Sequence, residues 1–161
     1  MPDRSLSRLS AYEKALQLLA ARAHFREELA RKLAARGYPE DEISAALDRL
    51  AGEGYLDDEK AAAGFVAGRL AKGALGRTRL RAELQAHGAA AGAIDAALAA
   101  LPDDDLPAAR EAAARYARSH RGARPDPAAL ARHLARKGFS RRAIVALLRE
   151  TGSGGDVPPE D

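Results

Sequence analysis

The 161-residue sequence predicts an all-α fold, three tandem three-helix repeats forming an elongated, curved array. Two observations carry the prediction. Leu29, Leu33, Gly37, Ile43, Leu47 and Leu50 return as Leu80, Leu84, Gly88, Ile94, Leu98 and Leu101, and again as Leu130, Leu134, Gly138, Ile144 and Leu148. The steps are 51 and then 50 residues, with no slip inside the motif. Alanine, leucine, arginine and glutamate also dominate the composition, and these residues give up little freedom in a helix.

Within a repeat, leucines four apart share one helical face, so Leu29/Leu33, Leu80/Leu84 and Leu130/Leu134 mark buried stripes. The glycine four residues later stands where a helix ends at positive φ, and Tyr38 and Phe139 follow as apolar partners of the cap. Ala89 takes that place in the middle repeat. A further helix then carries Ile and Leu at i and i+4.

In chain order, residues 1–10 read as a polar leader and Ala11 to Arg22 as the first helix. After His24-Phe25 a second helix spans Arg26 to Arg36. The third follows Pro39, with Glu40, Asp41 and Glu42 in the first turn where the macrodipole favours acid, and stops by Gly54. Asp57-Asp58-Glu59 open a fourth helix, as capping residues do, and it reaches Leu70 or Lys72. Gly73 to Gly76 reads as a flexible break before the helix that starts at Arg77. The helix around Ile94, Leu98 and Leu101 has the weakest signals. Pro102 to Pro107, with three aspartates between prolines, reads as a hinge. Helices from Pro107 to Ser119 and Pro127 to Lys137 follow across a break at Arg121 to Asp126, and a last one carries Ile144 and Leu148. The repeats therefore divide as 11–56, 57–101 and 106–150, and residues 151–161, rich in Gly, Pro and acid, read as a disordered tail.

There is no cysteine, which removes disulfide and thiolate chemistry and suits a cytoplasmic protein. No apolar run approaches the roughly twenty residues of a membrane span, and the first ten residues lack the apolar core of a signal peptide. The net charge of +3 is unevenly spread: zero over 1–56, +1 over 57–101, +5 over 102–150 and −3 beyond.

Catalytic constellations are not apparent. Gly68 and Gly73 have the spacing of a phosphate-binding loop, but Ala74-Leu75 stand where its Lys and Ser/Thr belong. His24, His87, His120 and His133 occupy four different contexts, and the acidic triplets at 57–59 and 103–105 flank helix starts, where capping accounts for them. The expectation is a non-enzyme without metal or cofactor.

Basic residues offer the better clue. Arg141 and Arg142 fall in the first turn of the last helix, where like charge costs roughly 0.3–1 kcal/mol, and with Lys137 and the free N–H groups behind Ser140 they can form an anion site. Arg132 and Arg136 lie four apart nearby. A second group, Arg69, Lys72, Arg77, Arg79 and Arg81, surrounds the Gly73–Gly76 break, with Arg77 and Arg81 able to form a basic ridge. Solvated helix faces are the alternative for both groups.

Taken together, these residues resemble the RecX family of bacterial RecA regulators. The resemblance rests on the Leu-x3-Leu-x3-Gly-Tyr/Phe endings, Tyr55-Leu56-Asp57-Asp58, Phe65-Val66, Lys72-Gly73, Gly76-Arg77-Thr78-Arg79-Leu80-Arg81-Ala82-Glu83-Leu84 and Lys137-Gly138-Phe139-Ser140, over about residues 12–150. It implies a non-enzymatic monomer that lodges in the groove of the RecA–DNA filament, touching RecA and DNA phosphates within it, and limits filament growth. Two departures stand out: Phe25 where the family has a small capping Ser or Thr, and Ala89 where it has Ile, Tyr or Phe. The other reading of three-helix units is helix-turn-helix-like modules that bind DNA directly, against which stand the small net charge and only seven aromatic residues.

Overall fold

The computed structural model describes residues 9–120 and 126–152. Among them are nine helices and no strand: α1 (Ala11–Ala21), α2 (Arg26–Ala34), α3 (Glu40–Gly52), α4 (Asp58–Ala71), α5 (Arg77–His87), α6 (Ala91–Ala99), α7 (Leu106–Ser119), α8 (Pro127–Arg136) and α9 (Arg141–Gly152). The chain separates into two compact units, one drawn from Met1–Phe65 and Leu84–Ala97, the other from Val66–Glu83 and Leu98–Asp161. Each holds one end repeat with part of the middle one.

In the first unit α1 and α2 pack on α3 around Leu29, Leu33, Leu47 and Leu50, all at most 2 % exposed. Burying a leucine of this kind contributes about 2 kcal/mol. The second unit repeats the plan, with α7 and α8 on α9 around Leu130, Leu134, Phe139, Ala143 and Leu147. Here α9 is turned slightly from the expected face: Ala143 and Leu147 are buried, while Ile144 and Leu148 flank the core half-buried.

The repeat's glycines do what their spacing predicts. Gly37, Gly88 and Gly138 have φ of 79°, 83° and 82°. The next N–H reaches back five residues in each case, Tyr38 to Leu33 O (3.3 Å), Ala89 to Leu84 O (3.0 Å) and Phe139 to Leu134 O (3.2 Å), which satisfies a terminal carbonyl. Ala89 therefore closes α5 as the aromatic residues close their helices.

Helix starts reveal a rule that local sequence hides. Phe25, Gly76 and Asp126 stand at the same repeat position before the three middle helices. Asp126 caps its own α8, its Oδ2 accepting the Ala129 N–H at 3.0 Å. Phe25 has no capping side chain, and the Arg26 N–H instead donates to Asp58 Oδ1 of α4 at 2.8 Å. At α5 the Thr78 N–H donates to Gly138 O at 3.3 Å, and Gly76 N–H to Lys137 O at 2.9 Å. The first two middle helices are thus started by groups from the repeat that follows.

Three loose-looking segments are held in place. Ser10, assigned to the polar leader, forms a capping box with Glu13, and Leu9 O accepts the Tyr38 hydroxyl at 2.6 Å. The Gly73–Gly76 break places Ala74 in the second unit's core. The Pro102–Pro107 segment is gripped rather than hinged: the Arg77 guanidinium donates to Leu98 O (2.7 Å), Leu101 O (2.6 Å) and Pro102 O (2.8 Å). Thr151 and Gly152, placed in the tail from sequence, are the last residues of α9, and the remaining tail, residues 1–8 and the break at 121–125 lie outside the described residues.

Candidate partner-binding surface

The two arginine groups read from sequence meet different fates. In the group around α5, Arg69 and Arg79 close on one carboxylate: Arg69 Nε and Nη2 donate to Glu83 at 2.6 and 2.9 Å, and Arg79 Nε at 2.8 Å. These bonds hold the Glu83 carboxyl below its ordinary range, Arg69 contributing most. Arg77, half-buried, caps the carbonyl end of α6. A planar fork of five donors suits three carbonyls at once, which an ammonium could not match. Lys72 and Arg81 are exposed. Arg69, Arg77 and Arg79 are thus bound into the fold.

The group of the last repeat keeps its charge available. Arg132 and Arg136 lie exposed on α8 and Lys137 is half-buried at its end. Close to them His133 stacks on Tyr116 with ring centroids 4.4 Å apart. Burial, then the charges of Lys137, Arg136 and His120, hold the His133 ring below its ordinary pKa. On α9, Arg141 and Arg142 share a shallow concavity with Val145, Ala146 and Arg149. None of these three arginines has a hydrogen-bond or ion-pair partner among the described residues. Val145 is 37 % exposed, on the face opposite the buried Ala143 and Leu147. At the start of α9 the Ser140 N–H and Oγ both donate to Asp105 at 2.7 Å, and Ser140 Oγ accepts the Ala143 N–H at 3.1 Å.

Arg149 and Val145 were not singled out from sequence, although positions 141, 145 and 149 recur every four residues in the most basic repeat. Among the described residues no group of three or more His, Asp or Glu is placed to hold a metal ion, and no helix is long and apolar enough to cross a membrane.

The fold defines a class, a tandem three-helix repeat protein whose middle helices end on glycine. Residues 11–50 match the RecX first three-helix domain, and residues 57–98 the RecX second three-helix domain. Regulatory protein RecX of Xanthomonas oryzae pv. oryzae (strain MAFF 311018) is 41 % identical over 138 residues, covering 85 % of this chain and 86 % of that one. Regulatory protein RecX of Ectopseudomonas mendocina (strain ymp) is 41 % identical over 145 residues, covering 88 % and 94 %. The crystal structure of RecX from Lactobacillus salivarius superposes with a TM-score of 0.72 at 24 % identity, covering 89 % of this chain and 95 % of that chain, which shows the shared fold. The chain belongs to the RecX family, a family of regulatory proteins.

Proposed function

We propose that this protein is a non-enzymatic modulator of RecA. In this reading it acts in the cytoplasm as a monomer, binds in the groove of the RecA–DNA filament and inhibits filament extension, and with it the recombinase and coprotease activities. The observation that carries the reading is membership in a family of regulatory proteins over most of the chain.

The surface assigned to the partner is α9, with Arg132, Arg136 and Lys137 beside it. An exposed valine between unpaired arginines has the makeup of a small interface core with a charged rim. Lys72 and Arg81 are assigned to a secondary contact, while Arg69, Arg77 and Arg79 act through the shape of α5 that their bonds maintain.

The test is RecA-catalysed ATP turnover and strand exchange on single-stranded DNA, with and without the purified chain. Inhibition at concentrations that leave naked DNA unretarded supports the reading. Full retardation of DNA without RecA, together with unaffected filaments, would favour direct DNA binding instead.

A further inference from the structure

The last helix carries a row of cations that no neighbouring acid answers. Arg141, Arg142 and Arg149 share an open concavity of about 580 Å³ with Val145 and Ala146, and none of the three has a hydrogen-bond or ion-pair partner among the described residues. The acid of α9, Glu150, is taken by Arg110, whose Nε and Nη2 donate to it at 2.9 and 2.6 Å. Arg141 and Arg142 also stand at the positive end of the α9 dipole, where the first repeat places Glu40, Asp41 and Glu42 instead. In sequence the missing counterpart follows directly. Beyond Gly152 come Ser153-Gly154-Gly155-Asp156-Val157-Pro158-Pro159-Glu160-Asp161, with three carboxylates and no Lys or Arg.

We infer that the segment 153–161 turns back along α9 and occupies this concavity, with Asp156 opposite Arg149, Val157 against Val145, and Glu160 and Asp161 opposite Arg142 and Arg141. The spacing suits it. Arg142 and Arg149 are seven residues apart, about 10.5 Å along a helix. Asp156 and Glu160 are four apart, about 12 Å in the extended form that Pro158-Pro159 favour. The four steps from Gly152 to Asp156 span at most about 14 Å, and Gly154-Gly155 lets the chain reverse within them. Val145, 37 % exposed, gives the contact an apolar centre between charged ends. Surface ion pairs are weak between separate molecules, but so short a tether sets an effective concentration in the millimolar range, which lets several act together. The contact itself requires no RecA. Its consequence, that the segment competes with the partner for α9, rests on the function proposed above.

The test uses the full chain, whose lack of cysteine lets a single nitroxide be attached at Pro158→Cys, and reads paramagnetic broadening of the α9 amides by NMR. At about 50 mM NaCl the amides of Arg141 to Val145, the end of α9 remote from the tether, are expected to lose about half their intensity or more relative to the reduced label. At about 500 mM NaCl, where screening shortens the reach of each charge, they should recover. D156N/E160Q/D161N, which alters no residue of α9, and R141A/R142A/R149A should each restore those amides and leave broadening only in the last turn of the helix. The charge-preserving R141K/R142K/R149K should stay broadened. Equal broadening with the native and the neutralised segment, or none at Arg141 to Val145 in either, overturns the inference. So does broadening of isotope-labelled chain by a separate spin-labelled chain mixed with it, which would assign the segment to a second copy. RecA is absent from this experiment, so the docking is judged apart from the RecA reading. The competition is measured separately: D156N/E160Q/D161N should inhibit RecA at a concentration lower by about twofold or more, and inhibition equal to wild type would remove the competition.

Discussion

Asp58 starts a helix that it does not belong to. Its Oδ1 accepts the Arg26 N–H of α2 at 2.8 Å, and its Oδ2 lies 3.4 Å from the Ala90 N–H ahead of α6. One carboxylate at the first position of α4 thus serves the N-terminal ends of two neighbouring helices. Asp105 plays the second of these roles in the last repeat, accepting both donors of Ser140.

Replacing Asp58 with Ala removes these bonds, and because Phe25 cannot substitute, the half-buried N–H of Arg26 is left without its cap. A loss of about 1–2 kcal/mol is expected in urea unfolding, with Asp58→Asn recovering part of it. An unchanged midpoint for Asp58→Ala would show that water caps α2 as well as the carboxylate does.

Gly138→Ala should be far more damaging than its size suggests. The position has φ of 82°, and a Cβ there would stand 2.3 Å from the Arg79 backbone nitrogen. Roughly 3 kcal/mol or more of destabilisation is expected. Gly64→Ala in α4, where a Cβ meets nothing within 4 Å, should instead raise stability by about 0.5–1 kcal/mol. Thermal unfolding of the pair distinguishes close approach from a general intolerance of substitution.

Acid sensitivity should centre on Glu28. Burial pushes its carboxyl up, but hydrogen bonds from Arg22 and Lys32, with the His24 and Arg22 charges, outweigh that and leave it at about 2, against an ordinary 4.5. The unfolded chain therefore binds the proton first, and stability is lost as pH falls from about 4.5 towards 2. His24 adds a milder loss that begins higher. Burial holds its ring below 6.5, Nδ1 faces Arg22 O at 3.0 Å and Nε2 faces Lys32 Nζ at 3.0 Å, so protonation below 6.5 favours the unfolded state. Urea midpoints between pH 2 and 8 should show both losses in wild type, and Glu28→Gln should abolish the lower one. A Glu28→Gln profile that still falls below pH 4.5 as steeply as wild type would refute the assignment.

Arg77→Lys keeps the charge and loses the fork. Because one guanidinium bridges Leu98 O, Leu101 O and Pro102 O, this conservative change should cost about 1–3 kcal/mol and speed hydrogen exchange at the C-terminal end of α6. Exchange rates equal to wild type would mean that the segment after α6 holds itself.

On α9, R141A/R142A/R149A should leave the unfolding midpoint within about 0.5 kcal/mol of wild type, since these exposed side chains have no intramolecular bond to lose. Inhibition of RecA should fall with it. Full inhibition by this variant would remove α9 from the partner surface while leaving family membership intact.

Much of the architecture was legible because its signals are local. Leu29/Leu33 and their copies specify a buried stripe through helical period alone, and Gly37, Gly88 and Gly138 specify where a helix stops because few other residues accept a φ near 80°. The basic surface was legible only in part. Sequence shows that Arg77 and Arg141 are both arginines in the first turn of a helix, but not that one faces three carbonyls and the other faces no partner. A zero sum of charge over residues 1–56 likewise hides an exposed Arg31 that has no hydrogen-bond or ion-pair partner among the described residues. Its neighbour Glu28 is nearly buried, so the charge presented at that surface differs from the charge counted along the chain.

By itself, then, the sequence determined what depends on spacing: a thrice-copied helix, glycine stop and helix, with cations crowded into the last copy. Tertiary structure alone decided which ends supply one another, Asp58 to α2 and Gly138 to α5, and which arginines remain available. The reason is distance. Helical period and left-handed backbone are properties of a few consecutive residues, whereas a hydrogen bond from residue 26 to residue 58, or a salt bridge from 69 to 83, exists only after folding has brought remote groups within 3 Å.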